Sequence, residues 1–152
     1  MKITENKIKF TLGNIKLISK VIDGKFPDYK KVVPANNEKS LVVSSKDFIS
    51  SIERVASVSL DRKEGVKLAI KKENIQLSVN SANSGEGNEI IKANFNSNDH
   101  LNISFNSQYL IDIASEVEDK NLKMNLKDSV SPVLIEDASD KNSYYVIMPM
   151  KI

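Results

Sequence analysis

From Leu41 onward the sequence states one pattern twice, about sixty residues apart. A chain that repeats itself once in this way is constrained to fold as two like units sharing a core. The first pass opens with an apolar strand, Leu41-Val42-Val43, and a polar start, Ser44-Ser45-Lys46-Asp47. Phe48, Ile49, Ile52, Val55 and Ala56 follow at helical spacing. Three strands are predicted next, Gly65 to Ile70, Ile75 to Val79 and Glu89 to Phe95. The second pass opens with Leu101-Asn102-Ile103-Ser104, caps a helix at Asn106-Ser107 and carries a stripe of Tyr109, Leu110, Ile113 and Val117. Its strands are predicted at Leu122 to Leu126, Pro132 to Glu136 and Tyr144 to Met150. Leu41 answers Leu101, Val43 answers Ile103, Ser44 answers Ser104, and Phe48 answers Tyr109. The period is too long, and its copies too few, for a solenoid. The expected fold is α+β, with duplicated β-α-β-β-β units forming antiparallel sheets and two helices packed on one side.

Upstream of the repeat, Ile8, Phe10 and Leu12 alternate with polar residues, Gly13-Asn14 makes a turn, and alternation resumes at Ile15 and Leu17. This is a hairpin with one buried face. Two strands do not sustain themselves in water. Residues 1–22 are therefore expected to end a domain whose earlier part lies outside this chain. Asp23-Gly24 turns the chain, and Pro27 and Pro34 bracket a stretch that cannot be helical, so residues 23–39 read as a linker. The domain division is residues 1–36 and residues 37–152. Charge follows the same division: residues 1–36 hold eight lysines against Glu5, Asp23 and Asp28, a net charge of +5, and the remainder is −3. A basic segment on a mildly acidic body could touch nucleic acid or an acidic partner, but from charge alone a solvated lysine-rich face is the better account.

Several classes of function are set aside. No apolar run approaches the ~20 residues that span a bilayer. The absence of cysteine removes disulfides and thiolate metal sites and accords with a reducing, cytoplasmic setting. His100 lies on a polar loop beside Asp99 and Ser97, with no nucleophile elbow or phosphate-cradling glycine loop. Asp137 and Asp140 read as loop carboxylates before they read as a cation site. Neither catalysis nor a metal or other cofactor is expected. The closing residues, YYVIMPMKI, place Val146, Met148 and Met150 on one parity of a strand beside Lys151. Periodicity alone makes these methionines core residues.

The stretches VIDGKFPDYKKVVP at 21–34, FNSQYLIDI at 105–113, DSVSPVLIED at 128–137 and YVIMPMKI at 145–152 resemble the bacterial DNA polymerase III beta subunits, the sliding clamps. The resemblance runs in order through essentially the whole chain, from the end of the family's middle domain through its third. It implies a non-catalytic processivity factor, a head-to-tail dimeric ring around duplex DNA that tethers DNA polymerase III. It also implies a pocket on the third domain for polymerases, the clamp loader and repair proteins.

Carried over position by position, the resemblance assigns the pocket to Pro27, Lys31, Val32, Asn106, Tyr109, Val130, Pro132, Val146, Met148, Pro149, Met150 and Lys151. Flexible methionines suit a receptor for many related apolar side chains. Lys31 and Lys151 stand where many relatives use arginine, which gives up planar bidentate pairing, and Pro132 replaces a small polar residue. Ring closure is assigned to an exposed edge from Glu86 to Phe95, with Ser57, Val58, Glu86, Glu89 and Ile91 at the interface. Lys46, Arg54, Arg62 and Lys63 are assigned to face DNA. The chain alone is expected to be a monomer with weak peptide affinity. A free-standing peptide-binding module unrelated to replication is the competing reading.

Overall fold

A computed structural model describes residues 1–26, 28–59, 65–81, 84–140 and 142–151. The chain begins with β1 (Lys2–Ile3), β2 (Lys7–Leu12) and β3 (Ile15–Lys20), which form a small antiparallel sheet. Gly13 sits at φ +58° in the two-residue turn between β2 and β3. Glycine takes that sign of φ without steric cost at the first position of a hairpin turn. The hairpin forms as its alternation predicts, but its apolar face is not buried. Phe10, Leu12, Ile15 and Leu17 are 45–80% exposed because no second layer of the described chain lies over them. A 3₁₀ turn, Tyr29–Lys31, follows, opened by the Asp28 carboxylate, which accepts from the Lys30 N–H.

The repeat then unfolds as predicted in kind and order. Its first unit is β4 (Lys39–Ser44), α1 (Ser45–Ala56), β5 (Gly65–Ile70), β6 (Asn74–Ser81) and β7 (Gly85–Phe95). Its second is β8 (Leu101–Asn106), α2 (Ser107–Glu116), β9 (Asn121–Leu126), β10 (Val133–Glu136) and β11 (Tyr144–Ile147). The strands are ordered β11-β10-β9-β4-β7-β6-β5-β8. Each unit lends its opening strand to the other. β4 pairs with β9, Leu41 opposite Met124, and β8 pairs with β5, Ile103 opposite Leu68. The end of β7 returns to β4, Ala93 opposite Val43, and in the matching place the Met150 N–H donates to Ser104 O at 2.7 Å. Neither unit can complete its sheet without the other.

Both helices start where the sequence supplies a cap. The Ser44 hydroxyl accepts from the Asp47 N–H, and the Asn106 side chain accepts from the Tyr109 N–H. α1 buries Phe48, Ile52 and Val55, and α2 buries Leu110 and Ala114, with Val117 at its end. The helices contact each other, and their buried sides meet a core that includes Leu41, Leu68, Leu77, Phe105, Leu122 and Met124. Tyr109 departs from its expected place in the α2 stripe. It is 60% exposed, because the buried line of the helix runs one residue around, through Leu110 and Ala114. Two strands are shorter than predicted. β10 begins after Pro132, which has no N–H for the ladder, and β11 ends at Ile147, leaving residues 148–150 outside the strand.

Candidate peptide-binding cleft

β11 alternates: Ile147 points into the core, while Val146 is half-buried on the opposite face. Past the strand end Met148 is 61% exposed. Hydration of so large an apolar side chain costs free energy that burial recovers, so its surroundings identify the site. Two hollows meet at it. In the first, about 600 Å³, the linker over residues 31–37 lies across Lys127, Ser131, Pro132, Val146 and Met148. The second, about 370 Å³, lies between β11 and α2 and is lined by Tyr109, Asp112, Ile113, Val146, Ile147 and Met148. Val146 and Met148 belong to both.

Specific bonds hold the walls. The Asn37 Nδ2 donates to Asn125 O at 2.9 Å and Pro132 O at 2.8 Å, pinning the linker to the sheet. The Asp128 carboxylate accepts from the Val130 N–H, the Ser131 N–H and the Ser131 hydroxyl, which shapes the turn before Pro132. The same bonds, led by that from the Val130 N–H, hold the Asp128 carboxyl below its ordinary range. On the helix side Asp112 accepts from Gln108 Nε2 at 2.7 Å. The combined recess is soft and apolar along its floor, with lysines at the linker end and a carboxylate at the helix end.

Of the residues assigned to the pocket from sequence, Lys31, Val32, Pro132, Val146 and Met148 meet in the first hollow, and Tyr109 joins Val146 and Met148 in the second. Asn106 is instead the α2 cap. Val130 is 61% exposed and lines neither hollow. Pro149, Met150 and Lys151 continue the tail beyond Met148, and the Met150 N–H ties that tail to β8. Pro27 lies outside the described residues. Sequence reasoning missed Asp112, Ile113 and Lys127. The first two were within reach, since positions three and four beyond Tyr109 share its helix face. Lys127 was not, because it enters through the fold of the β9–β10 turn.

The edge assigned to ring closure is shorter than expected. Residues 85–92 of β7 pair only with β6, whereas Ala93, Asn94 and Phe95 pair with β4. Ser57 caps the end of α1, and Val58 and Ile91 pack against the core margin. Glu86 is exposed and accepts from Asn88 Nδ2. Glu89 already has partners: Arg54 Nε donates to its Oε2 at 2.9 Å, Arg54 Nη2 to its Oε1, and the Ser51 hydroxyl to its Oε1. The Arg54 hydrogen bonds hold the Glu89 carboxyl below its usual range and raise the guanidinium above its own. The pair therefore joins α1 to β7, and Arg54, one of the cations assigned to DNA, sits in it with its side chain 59% exposed. Lys46 is exposed on α1, and Arg62 and Lys63 lie outside the described residues. His100 is exposed, and its neighbour Asp99 pairs with Lys39 at 3.0 Å. Asp137 accepts from Ser139 in its own loop and from the Glu118 N–H after α2, and Asp140 accepts from Asn142 and Ser143 in its own loop. Among the described residues no three histidine or carboxylate groups gather as a metal site, and no helix is long and apolar enough to cross a membrane.

A duplicated sheet-and-helix unit with exchanged opening strands and an apolar recess beside its last strand defines a domain of the DNA-clamp class. The comparisons agree on a narrower assignment. Residues 30–151 match the family described as DNA polymerase III beta subunit, C-terminal domain, and the chain belongs to that family. It is similar to the beta sliding clamp of Escherichia coli K12, 33% identical over 152 residues, and to that of Caulobacter vibrioides NA1000, 32% identical. It covers 41% of the length of each. Among solved structures, a DnaN sliding clamp from Bartonella birtlesii bound to griselimycin superposes with a TM-score of 0.88 at 40% identity. That match covers 98% of this chain and 40% of the other.

Proposed function

We propose that this chain supplies the third domain of a sliding clamp, residues 37–152, preceded by the end of a middle domain in residues 1–36. In this reading the protein is a non-catalytic, cytoplasmic processivity factor for DNA polymerase III, acting as a homodimeric ring around duplex DNA. The recess beside β11 receives an extended peptide from polymerases, the clamp loader and repair proteins, and the free part of the β7 edge contributes to ring closure. What carries the reading is the meeting of two hollows at Val146 and Met148. Successive apolar side chains of one peptide can occupy the two hollows while the exposed Met148 adjusts between them. The relative bound to griselimycin supports the idea that a clamp of this kind accepts a ligand.

Titration of the chain with a polymerase-derived clamp-binding peptide, followed by NMR, tests this. The methyl groups of Val146 and Met148 and the ring of Tyr109 shift first. Affinity is below that of a full-length clamp, because this chain spans 41% of the length of such relatives. Met148→Ala weakens binding about tenfold or more, as truncating a buried anchor does, yet leaves the denaturation midpoint nearly unchanged because the side chain is exposed in the free chain. Shifts centred on another face, or an unaltered affinity in Met148→Ala, would refute the assignment.

A further inference from the structure

The chain has no cysteine and four methionines, Met1, Met124, Met148 and Met150. A peroxide therefore meets no thiol, and the thioethers are the sulfur it can oxidise. The fold presents the four unequally. Met124 lies in β9 opposite Leu41 and is fully buried. Met1 is exposed at the start of the chain and lines neither hollow of the cleft. Met150 is 37% exposed, in the tail that its own N–H ties to Ser104 O, and it too lines neither hollow. Met148 combines the two properties that the others separate. It is 61% exposed, and it lines both hollows.

We propose that Met148 is a site of reversible oxidation by peroxide, and that its sulfoxide closes the cleft to apolar peptides. The inference rests on the peptide-binding reading above and adds a means of regulating that site. The thioether sulfur attacks one oxygen of hydrogen peroxide, so that an S–O bond forms as the O–O bond breaks. Sulfur gives up two electrons. The proton on the transferred oxygen passes to the departing hydroxide, which leaves as water. A flexible apolar side chain becomes a polar, chiral one. In the free chain that new oxygen stays hydrated, because Met148 lies outside β11 and is exposed, so the fold is undisturbed. A peptide seated across both hollows would take the oxygen out of water. In the second hollow Ile113, Val146 and Ile147 have no donor for it, and the Asp112 carboxylate only accepts, which leaves the Tyr109 hydroxyl as the one side-chain donor of that ring of residues. A buried acceptor short of donors opposes binding. The first hollow does offer the cations Lys31 and Lys127, but a sulfoxide turned toward them stands where the peptide would lie. Linkage is reciprocal: a bound peptide shields the sulfur from peroxide. Met124 is reached only when the body opens.

The test treats the full chain with hydrogen peroxide and locates each sulfoxide by mass spectrometry. Affinity for a methionine-free, polymerase-derived clamp-binding peptide is measured before and after. Conversion at Met148 is expected to precede conversion at Met124 by orders of magnitude. It should lower the affinity about tenfold or more and leave the thermal midpoint nearly unchanged. Saturating peptide should slow conversion at Met148 and not at Met1. Methionine sulfoxide reductases, one for each sulfur epimer, should restore the affinity. Each variant is compared with its own untreated form: M148L should be insensitive to peroxide, and M150L should lose affinity as the parent does. An equal loss in M148L would place the effect at another residue and overturn the proposal. So would an unchanged affinity in parent chain converted at Met148. A parent that binds no peptide before treatment would refute the cleft reading itself, and this inference with it, which separates the two failures.

Discussion

Gly87 is buried where β7 passes the end of α1. A Cβ there would lie 2.6 Å from Val55 O and 3.0 Å from Val55 Cα. The obstacle is helix backbone, so no rotamer change relieves it, and overpacking of this kind costs about 1–3 kcal/mol. Gly87→Ala is expected to lower the unfolding free energy by that much, read as a lower urea midpoint with the denaturant dependence unchanged; a midpoint equal to that of the parent would mean that α1 and β7 separate freely. Asp137 makes the opposite kind of contribution. Its buried carboxylate takes hydrogen bonds from the Ser139 hydroxyl, the Ser139 N–H and the Glu118 N–H, joining the loop after β10 to the end of α2. The Ser139 hydroxyl leads the causes that hold its carboxyl below the ordinary value. A folded-state pKa depressed in this way contributes stability above the unfolded value of about 3.9, lost as pH falls through the folded one. Asp137→Ala should therefore be less stable than the parent at pH 7, and thermal melts of the two should converge on the acid side of 3.9. A constant gap down to pH 2 would assign the effect to packing instead.

At the scale of single elements, Asn106 separates two readings of one residue. Resemblance assigns it to the peptide pocket, whereas its position before α2 makes it a cap, and its side chain accepts from the Tyr109 N–H at 3.2 Å. Asn106→Ala is expected to cost about 1 kcal/mol of stability, and Asn106→Asp to restore it. The peptide affinity of each should follow only the fraction folded. A large affinity loss with no change in melting would return Asn106 to the pocket. The cap was legible because it is a local signal, as were the helices and most of the strands, whose periods lie within a few residues. The exchange of β4 and β8 between units was not, because alternation specifies a strand's face but not its neighbour. The linker's position escaped for a related reason. Asn37 finds its acceptors 88 and 95 residues away, and nothing near it announces them. Tyr109 shows the limit of a helical stripe: residues one apart lie 100° around the helix, enough to move a ring from core to cleft.

Across the whole molecule, stability is divided unequally. The repeat closes on itself through eight strands and two helices around one continuous core, with Leu41, Phe48, Leu68, Leu77, Phe105, Leu122 and Met124 fully buried. The β1–β3 sheet has three strands, no covering layer among the described residues, and an apolar face left exposed. Three strands need a packed face to hold together independently, so in this chain the small sheet opens without disturbing the body. Opening free energies in one protein range from near zero to the global value of roughly 5–15 kcal/mol, and the two regions should fall near those extremes. Native-state hydrogen exchange will show paired amides of β2 and β3 exchanging orders of magnitude faster than those of Leu68 and Leu77, with only the latter following global unfolding. Covering the apolar face should slow the former selectively, as in a longer protein carrying the rest of that sheet's domain. If residues 7–20 of the 152-residue chain exchange as slowly as β5 and β6, the sheet is already covered, and a second copy of the chain, detectable by sedimentation, is the cover.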